Sequence, residues 1–132
     1  GTDVQEFYGM GLPTTNGTSI NFATPHAGFK LVRAASGTFD VYATQANTAE
    51  TASAALGTVA NGDGLEFVIV SNSATSTDYY WRQNDAAQSA ATNLSTQVPW
   101  TQTDMSRLAG AMSNAGVATS SSATITGMSW ER

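Results

Sequence analysis

Apolar and polar side chains alternate with a period of two in short bursts along this chain, which is the mark of half-buried strands. The clearest burst is Thr38-Phe39-Asp40-Val41-Tyr42-Ala43-Thr44, with Phe39, Val41 and Ala43 on one face and Thr38, Asp40, Tyr42 and Thr44 on the other. Within 18–23, Ile20 and Phe22 share a face; within 28–34, Phe29 and Leu31 do so while Lys30 points the other way. Residues 57–60, 61–64 and 65–70 read as strand, turn and strand, because the Asn61-Gly62 and Asp63-Gly64 pairs accept the positive φ of a tight hairpin. Strand 65–70 is apolar on both sides except at Glu66, which predicts a central strand covered on both faces. The run Asp78-Tyr79-Tyr80-Trp81-Arg82 keeps the same period, with Tyr79 and Trp81 on one face and Asp78, Tyr80 and Arg82 on the other. A last strand is expected over 123–130, with Thr124, Thr126, Met128 and Trp130 on one side.

The period changes once. Thr101 fits a helix N-cap with Asp104 three residues on, and Trp100 can close on Met105 as a hydrophobic staple. Met105, Leu108, Ala109 and Met112 then form one apolar stripe up to a stop at Gly116. Two stretches carry neither period: 45–56 and 83–98 are polar, rich in small residues, and expected as long loops that make contacts, with room for one short helix in the first and one weak helical turn in the second. Residues 1–17, broken by Gly9, Gly11, Pro13 and Asn16-Gly17, read as an irregular N-terminal arm with many apolar members for its length, the alternative being an edge strand packed on its own domain. The expected fold is therefore all-β: an arm over 1–17, then one antiparallel β-sandwich domain over 18–132, jelly-roll-like, with one short amphipathic helix near the C-terminus.

Composition narrows the partners. The 132 residues include 21 Ala, 19 Thr and 14 Ser, against 22 Leu, Ile, Val and Phe together, so the core is thin and neighbouring subunits are expected to help cover it. Only 11% of residues are charged, with a net charge of −5. Five Lys and Arg fall short of the roughly six to ten phosphate contacts of specific nucleic-acid binders, and an anionic membrane surface is disfavoured for the same reason. There is no cysteine, hence no disulfide and no thiolate metal site. The apolar run 67–70 is far too short to span a bilayer. No basic, apolar and small-residue leader opens the chain, so export by a signal kept in this sequence is not expected.

Candidate chemistry is sparse. His26 is the single histidine and reads as a turn residue; no Gly-x-Ser-x-Gly stretch accompanies it. Asn61-Gly62-Asp63-Gly64 lacks the further acidic positions of a calcium loop. No catalytic, cofactor-binding or metal-ligating residues are assigned, and an enzyme is not expected. The conspicuous side chains are aromatic. Tyr80 with Asp78, Arg82, Asn84 and Asp85 has the composition of a sugar platform, whereas the alternative places Tyr79 and Trp81 in the core and lets Tyr80 and Arg82 stack at an interface.

The run 35–83, "ASGTFDVYATQ … GTVANGDGLEFVIVSNS … DYYWRQ", resembles the small β-sandwich virion proteins of tailed phages, among them capsid cement and decoration proteins. The resemblance implies a subunit on the outer capsid surface that clamps the major capsid protein together with copies of itself, often as a homotrimer. It carries over no functional residues. The interface residues expected from the chain's own pattern are Phe7, Tyr8, Met10, Leu12, Tyr80, Arg82 and Trp130, together with the two long loops. Removing residues 1–12 is expected to abolish binding and leave the domain folded. The alternative is a carbohydrate-binding module, free, at a fibre tip or on an extracellular surface.

Overall fold

A computed structural model of the chain describes residues 5–11, 14–15, 20–35, 37–99 and 108–113. Eleven strands form among them: β1 (Gln5–Gly11), β2 (Thr14–Thr15), β3 (Ile20–Asn21), β4 (His26–Ala35), β5 (Thr38–Ala46), β6 (Glu50–Ala52), β7 (Gly57–Ala60), β8 (Leu65–Ser73), β9 (Ser76–Gln83), β10 (Thr92–Leu94) and β11 (Leu108–Ser113). All pairings are antiparallel. The larger sheet runs β11-β1-β4-β5-β6 with β7 also on β5; the smaller runs β10-β9-β8, and β2 with β3 makes a separate ribbon.

The alternation read from the sequence decides which side chains meet between the two sheets. Ala27, Phe29 and Leu31 of β4, Val41 and Ala43 of β5, and Val59 of β7 are buried against Tyr79 of β9 and Leu94 of β10. Phe29 stacks on Phe67 at 4.4 Å between centroids and meets Tyr79 edge to face at 5.5 Å. Gly57 leaves the space that the Trp81 ring occupies, since a Cβ there would lie 2.7 Å from Cζ2.

The opposite face of the larger sheet carries a second cluster of Phe7, Ile20 and Phe22. Gly9 and Gly28 face each other across β1 and β4. The Phe7 ring lies over that pair, and a Cβ on Gly28 would sit 2.5 Å from Phe7 Cε2. The two glycines thus make the seat for the ring.

Several expectations change. Gln5–Gly11 is a strand between β4 and β11 rather than an irregular arm, with Phe7 0% exposed, so cutting residues 1–12 would remove an inner strand. The turn at 61–64 does not close a hairpin: β7 pairs with β5 and β8 with β9, so the chain crosses from one sheet to the other there. Asp63 holds that corner, accepting from Ala60 N at 2.7 Å and from the Gln83 and Asn84 amides at 2.6 and 3.0 Å. Strand β8 is not central either. It ends the smaller sheet among the described residues, and alternate side chains along it are exposed.

Within the expected helix, 108–113 is instead β11, paired along β1 with Gly110 opposite Tyr8 and Ala111 opposite Phe7. Gly110 weakens any helix there, and a long ladder of main-chain bonds to β1 outweighs the propensity of Leu, Ala and Met. The rest of that helix, 101–107, and the strand expected over 123–130 lie outside the described residues.

Candidate interaction surface

Strands β8 and β9 place their even-numbered side chains on the outer face of the smaller sheet, in a register that sets Glu66 opposite Arg82, Val68 opposite Tyr80 and Val70 opposite Asp78. Val68 and Val70 are 36% and 41% exposed, the large apolar side chains that stand out in the described residues. Tyr80 lies half-buried beside them. One end of this strip is closed by the exposed ion pair Arg82 Nη2–Glu66 Oε2 at 2.7 Å. At the other end Asp78 accepts from Asn93 Nδ2 and Asn72 Nδ2, both at 2.7 Å. Those amides, Asn93 first, hold its carboxyl below the usual aspartate range. The result is an apolar strip bounded by satisfied polar groups.

The residue beneath this face is fixed. Tyr79 is 0% exposed, and its hydroxyl donates to Gln45 Oε1 at 2.9 Å and toward the Thr44 carbonyl at 3.3 Å. Burial pushes its phenol well above the ordinary tyrosine value. Gln45 passes the tie on, donating to the carbonyls of Thr96 at 2.6 Å and Leu94 at 3.3 Å.

The two long loops meet. Gln97, with φ of 57°, turns its side-chain oxygen to accept from Thr48 N, Thr48 Oγ1 and Ala49 N at 3.1, 3.3 and 3.2 Å. Thr51 and Thr96 share a hydroxyl contact at 3.0 Å. Segments 45–56 and 83–98 are therefore bonded to one another, with short strands β6 and β10 inside them.

Of the residues expected at an interface, Tyr80 and Arg82 come together on the outer face. Phe7 does not join them; it is core on the far side of the other sheet. Tyr8 is half-buried between the sheets, stacked on Phe67 at 6.1 Å, and its hydroxyl donates to Glu6 Oε2 at 2.7 Å. Burial and that carboxylate raise its pKa. Met10 is half-exposed on β1. Leu12 and Trp130 lie outside the described residues. Asn84, proposed from sequence beside Tyr80, instead braces the 63–64 corner, accepting from Gly64 N at 2.9 Å. Val68 and Val70 were not singled out by sequence, although their even numbers put them on the same face as Tyr80.

His26 begins β4 rather than occupying a turn, and it is fully buried. Its Nδ1 lies 2.8 Å from Thr24 O and its Nε2 3.0 Å from Thr44 Oγ1; the Thr44 hydroxyl in turn lies 2.9 Å from Glu50 Oε1. Lys30 pairs with Glu50 and lies over the Phe22 ring at 5.0 Å. These three contacts need three protons, while a neutral imidazole and one hydroxyl supply two. Burial is nonetheless the larger influence and lowers the His26 pKa below its ordinary value. Packed between Phe7 and Phe22 at 5.3 and 5.6 Å, the ring is closed to a substrate. Among the described residues no group of three or more His, Asp or Glu side chains has the arrangement to hold a metal ion.

No protein-family model, no curated protein and no solved structure matches this chain.

Proposed function

We propose that the chain is a structural subunit of a virus shell, of the cement or decoration kind on tailed-phage heads, acting by adhesion to the major capsid protein and to copies of itself. The observation that carries this reading is the outer face of β8 and β9, where Val68, Val70 and Tyr80 form an apolar strip between an ion pair and a satisfied carboxylate. Such a strip is suited to covering by another protein surface. The stretch 35–83 that resembles virion proteins includes β8 and β9, the strands that carry Val68, Val70 and Tyr80. Low charge and a jelly-roll-like sandwich frame fit a molecule packed among others. Copies bound only to the expanded shell would stabilise it by mass action.

The test mixes the purified chain with expanded tailed-phage heads stripped of their own decoration, and reads occupancy by cosedimentation and electron microscopy. Saturable binding that falls in a Val68→Asp, Tyr80→Ala variant of unchanged circular dichroism is expected. Binding that ignores those changes, or no binding to any such head, refutes the proposal.

One observation favours a second reading. Asp78, oriented by two asparagine amides next to Tyr80, is the carboxylate-beside-ring arrangement that sugars use. On a glycan array, hits that vanish with Tyr80→Ala would establish the carbohydrate-binding alternative and displace the shell reading.

A further inference from the structure

The edge of β8 has a defined hydrogen-bonding phase. Trp81 N donates to Ser89 Oγ at 3.0 Å and Trp81 O accepts from Ser89 N at 2.8 Å, so the Trp81 peptide groups face away from β8. Phe67, opposite Trp81, is then in a non-hydrogen-bonded pair and turns its own N–H and C=O away from β9. The bond from Asn84 N to Gly64 O at 2.7 Å sets the same phase one step along. By alternation Leu65, Phe67, Ile69 and Ser71 direct their main-chain groups to the side of β8 where no described strand lies.

Natural edge strands are usually guarded by lysine, proline, an inward charge, a β-bulge, short length or a covering loop or helix. Strand β8 is nine residues long, contains no proline or lysine, and carries one acid, Glu66, already paired with Arg82. The one guard of this kind is the bulge-like register shift between Ser71 and Ser73, which lies at the end of the strand and leaves 65–71 regular.

We infer that β8 is a homotypic joint, pairing antiparallel with β8 of a second copy about a two-fold axis at Ile69. The register follows from the phase and the charges. Pairing Ile69 with itself brings Phe67 opposite Ser71, so that groups facing the edge meet groups facing the edge. On the outer face it sets Val68 against Val70, bringing the exposed valines of the two copies side by side. A slip of one residue would oppose edge-facing groups to groups already bonded to β9. Centring on Val68 instead would set Glu66 against Val70, a carboxylate on an apolar side chain. The joint makes dimers, whereas the virion resemblance implies trimers, and it does not depend on any shell.

Sedimentation velocity over a wide concentration range tests it. Twice the 13.7 kDa chain mass is expected at high concentration. Val68→Lys and Val70→Lys each place a cation at an exposed position where the two valines would meet; both variants should remain monomeric with unchanged circular dichroism. Because the chain has no cysteine, Val68→Cys and Val70→Cys variants provide a direct register test. Mixed under mild oxidation they should give a hetero-disulfide dimer in higher yield than either alone, as facing residues of a non-hydrogen-bonded pair do. A monomer at every concentration, a trimer, a dimer that survives both edge variants, or no preference for the mixed disulfide overturns the joint. A monomer that still coats phage heads would remove the joint and leave the shell reading; a dimer that coats none would do the reverse.

Discussion

Replacing Tyr79 by Phe removes one oxygen from the centre of the molecule and leaves the ring that packs against Phe29 in place. Gln45 Oε1 then loses the one donor it has among the described residues, at a site with 0% exposure where water cannot take over. The Thr44 carbonyl loses a longer, weaker contact and keeps its place in the β5 ladder. A buried acceptor left unsatisfied costs about 1–3 kcal/mol, and part of this is offset because phenylalanine is easier to bury than tyrosine. The expected loss is therefore about 1–2 kcal/mol, read as a lower urea midpoint at unchanged slope. Trp81 lies two residues along the same strand, so fluorescence reports the transition. A double-mutant cycle with Gln45→Met isolates the bond, with a coupling of about 1 kcal/mol expected between residues in direct contact. Gln45→Met alone should cost more than Tyr79→Phe, since it also frees the Leu94 and Thr96 carbonyls. A midpoint shift worth less than about 0.5 kcal/mol, or strict additivity in the cycle, would refute the claim that Tyr79 ties the smaller sheet to β5.

Phe7→Ala should cost about 3–5 kcal/mol by emptying the seat over Gly9 and Gly28; a near-neutral result in chemical denaturation would return Phe7 to the surface. Gly28→Ala should prevent folding or cost several kcal/mol, because its Cβ would meet the Tyr8 carbonyl oxygen at 2.5 Å as well as the Phe7 ring; soluble protein of wild-type stability would contradict the packing. The folded-state pKa of His26 is lowered, so its contribution is fully present above the unfolded value near 6.5 and is lost as pH falls from there through the folded pKa. Urea midpoints should accordingly begin to drop as pH falls below about 6.5, and His26→Gln should flatten that slope; an unchanged slope would assign it to other groups.

What the sequence made legible is the property that each strand carries within itself. Ile20 with Phe22, Phe29 with Leu31, and Val41 with Ala43 share faces as their alternation requires, and all six are buried. Parity likewise put Tyr79 inside and Tyr80 with Arg82 outside. Less legible was which strand lies beside which, because pairing depends on residues far away in the chain. Asn-Gly and Asp-Gly specify a turn and not its destination, so the 61–64 corner looked like a hairpin until Asp63 was seen holding Gln83 and Asn84 across sheets. Residues 108–113 have good local reasons to be helical, and lose to six consecutive pairings with β1.

The misplacement of β8 bears directly on function. An apolar run without alternation has two physical origins: a strand covered on both faces within its own domain, or one covered on a single face whose other cover comes from elsewhere. Leu65, Phe67 and Ile69 pack into the core, which accounts for half of the run. Val68 and Val70 take no part in it, and a strand serving only its own fold would have polar residues there, as it does at Glu66 and Asn72. Threonine and serine, abundant elsewhere in this chain, would fit a solvated face while keeping or nearly keeping strand propensity. The two valines are therefore best explained by a second cover, and the edge-facing main-chain groups of Phe67 and Ile69, beside which no described strand lies, are where a paired strand would set a second Val68 and Val70 alongside the first.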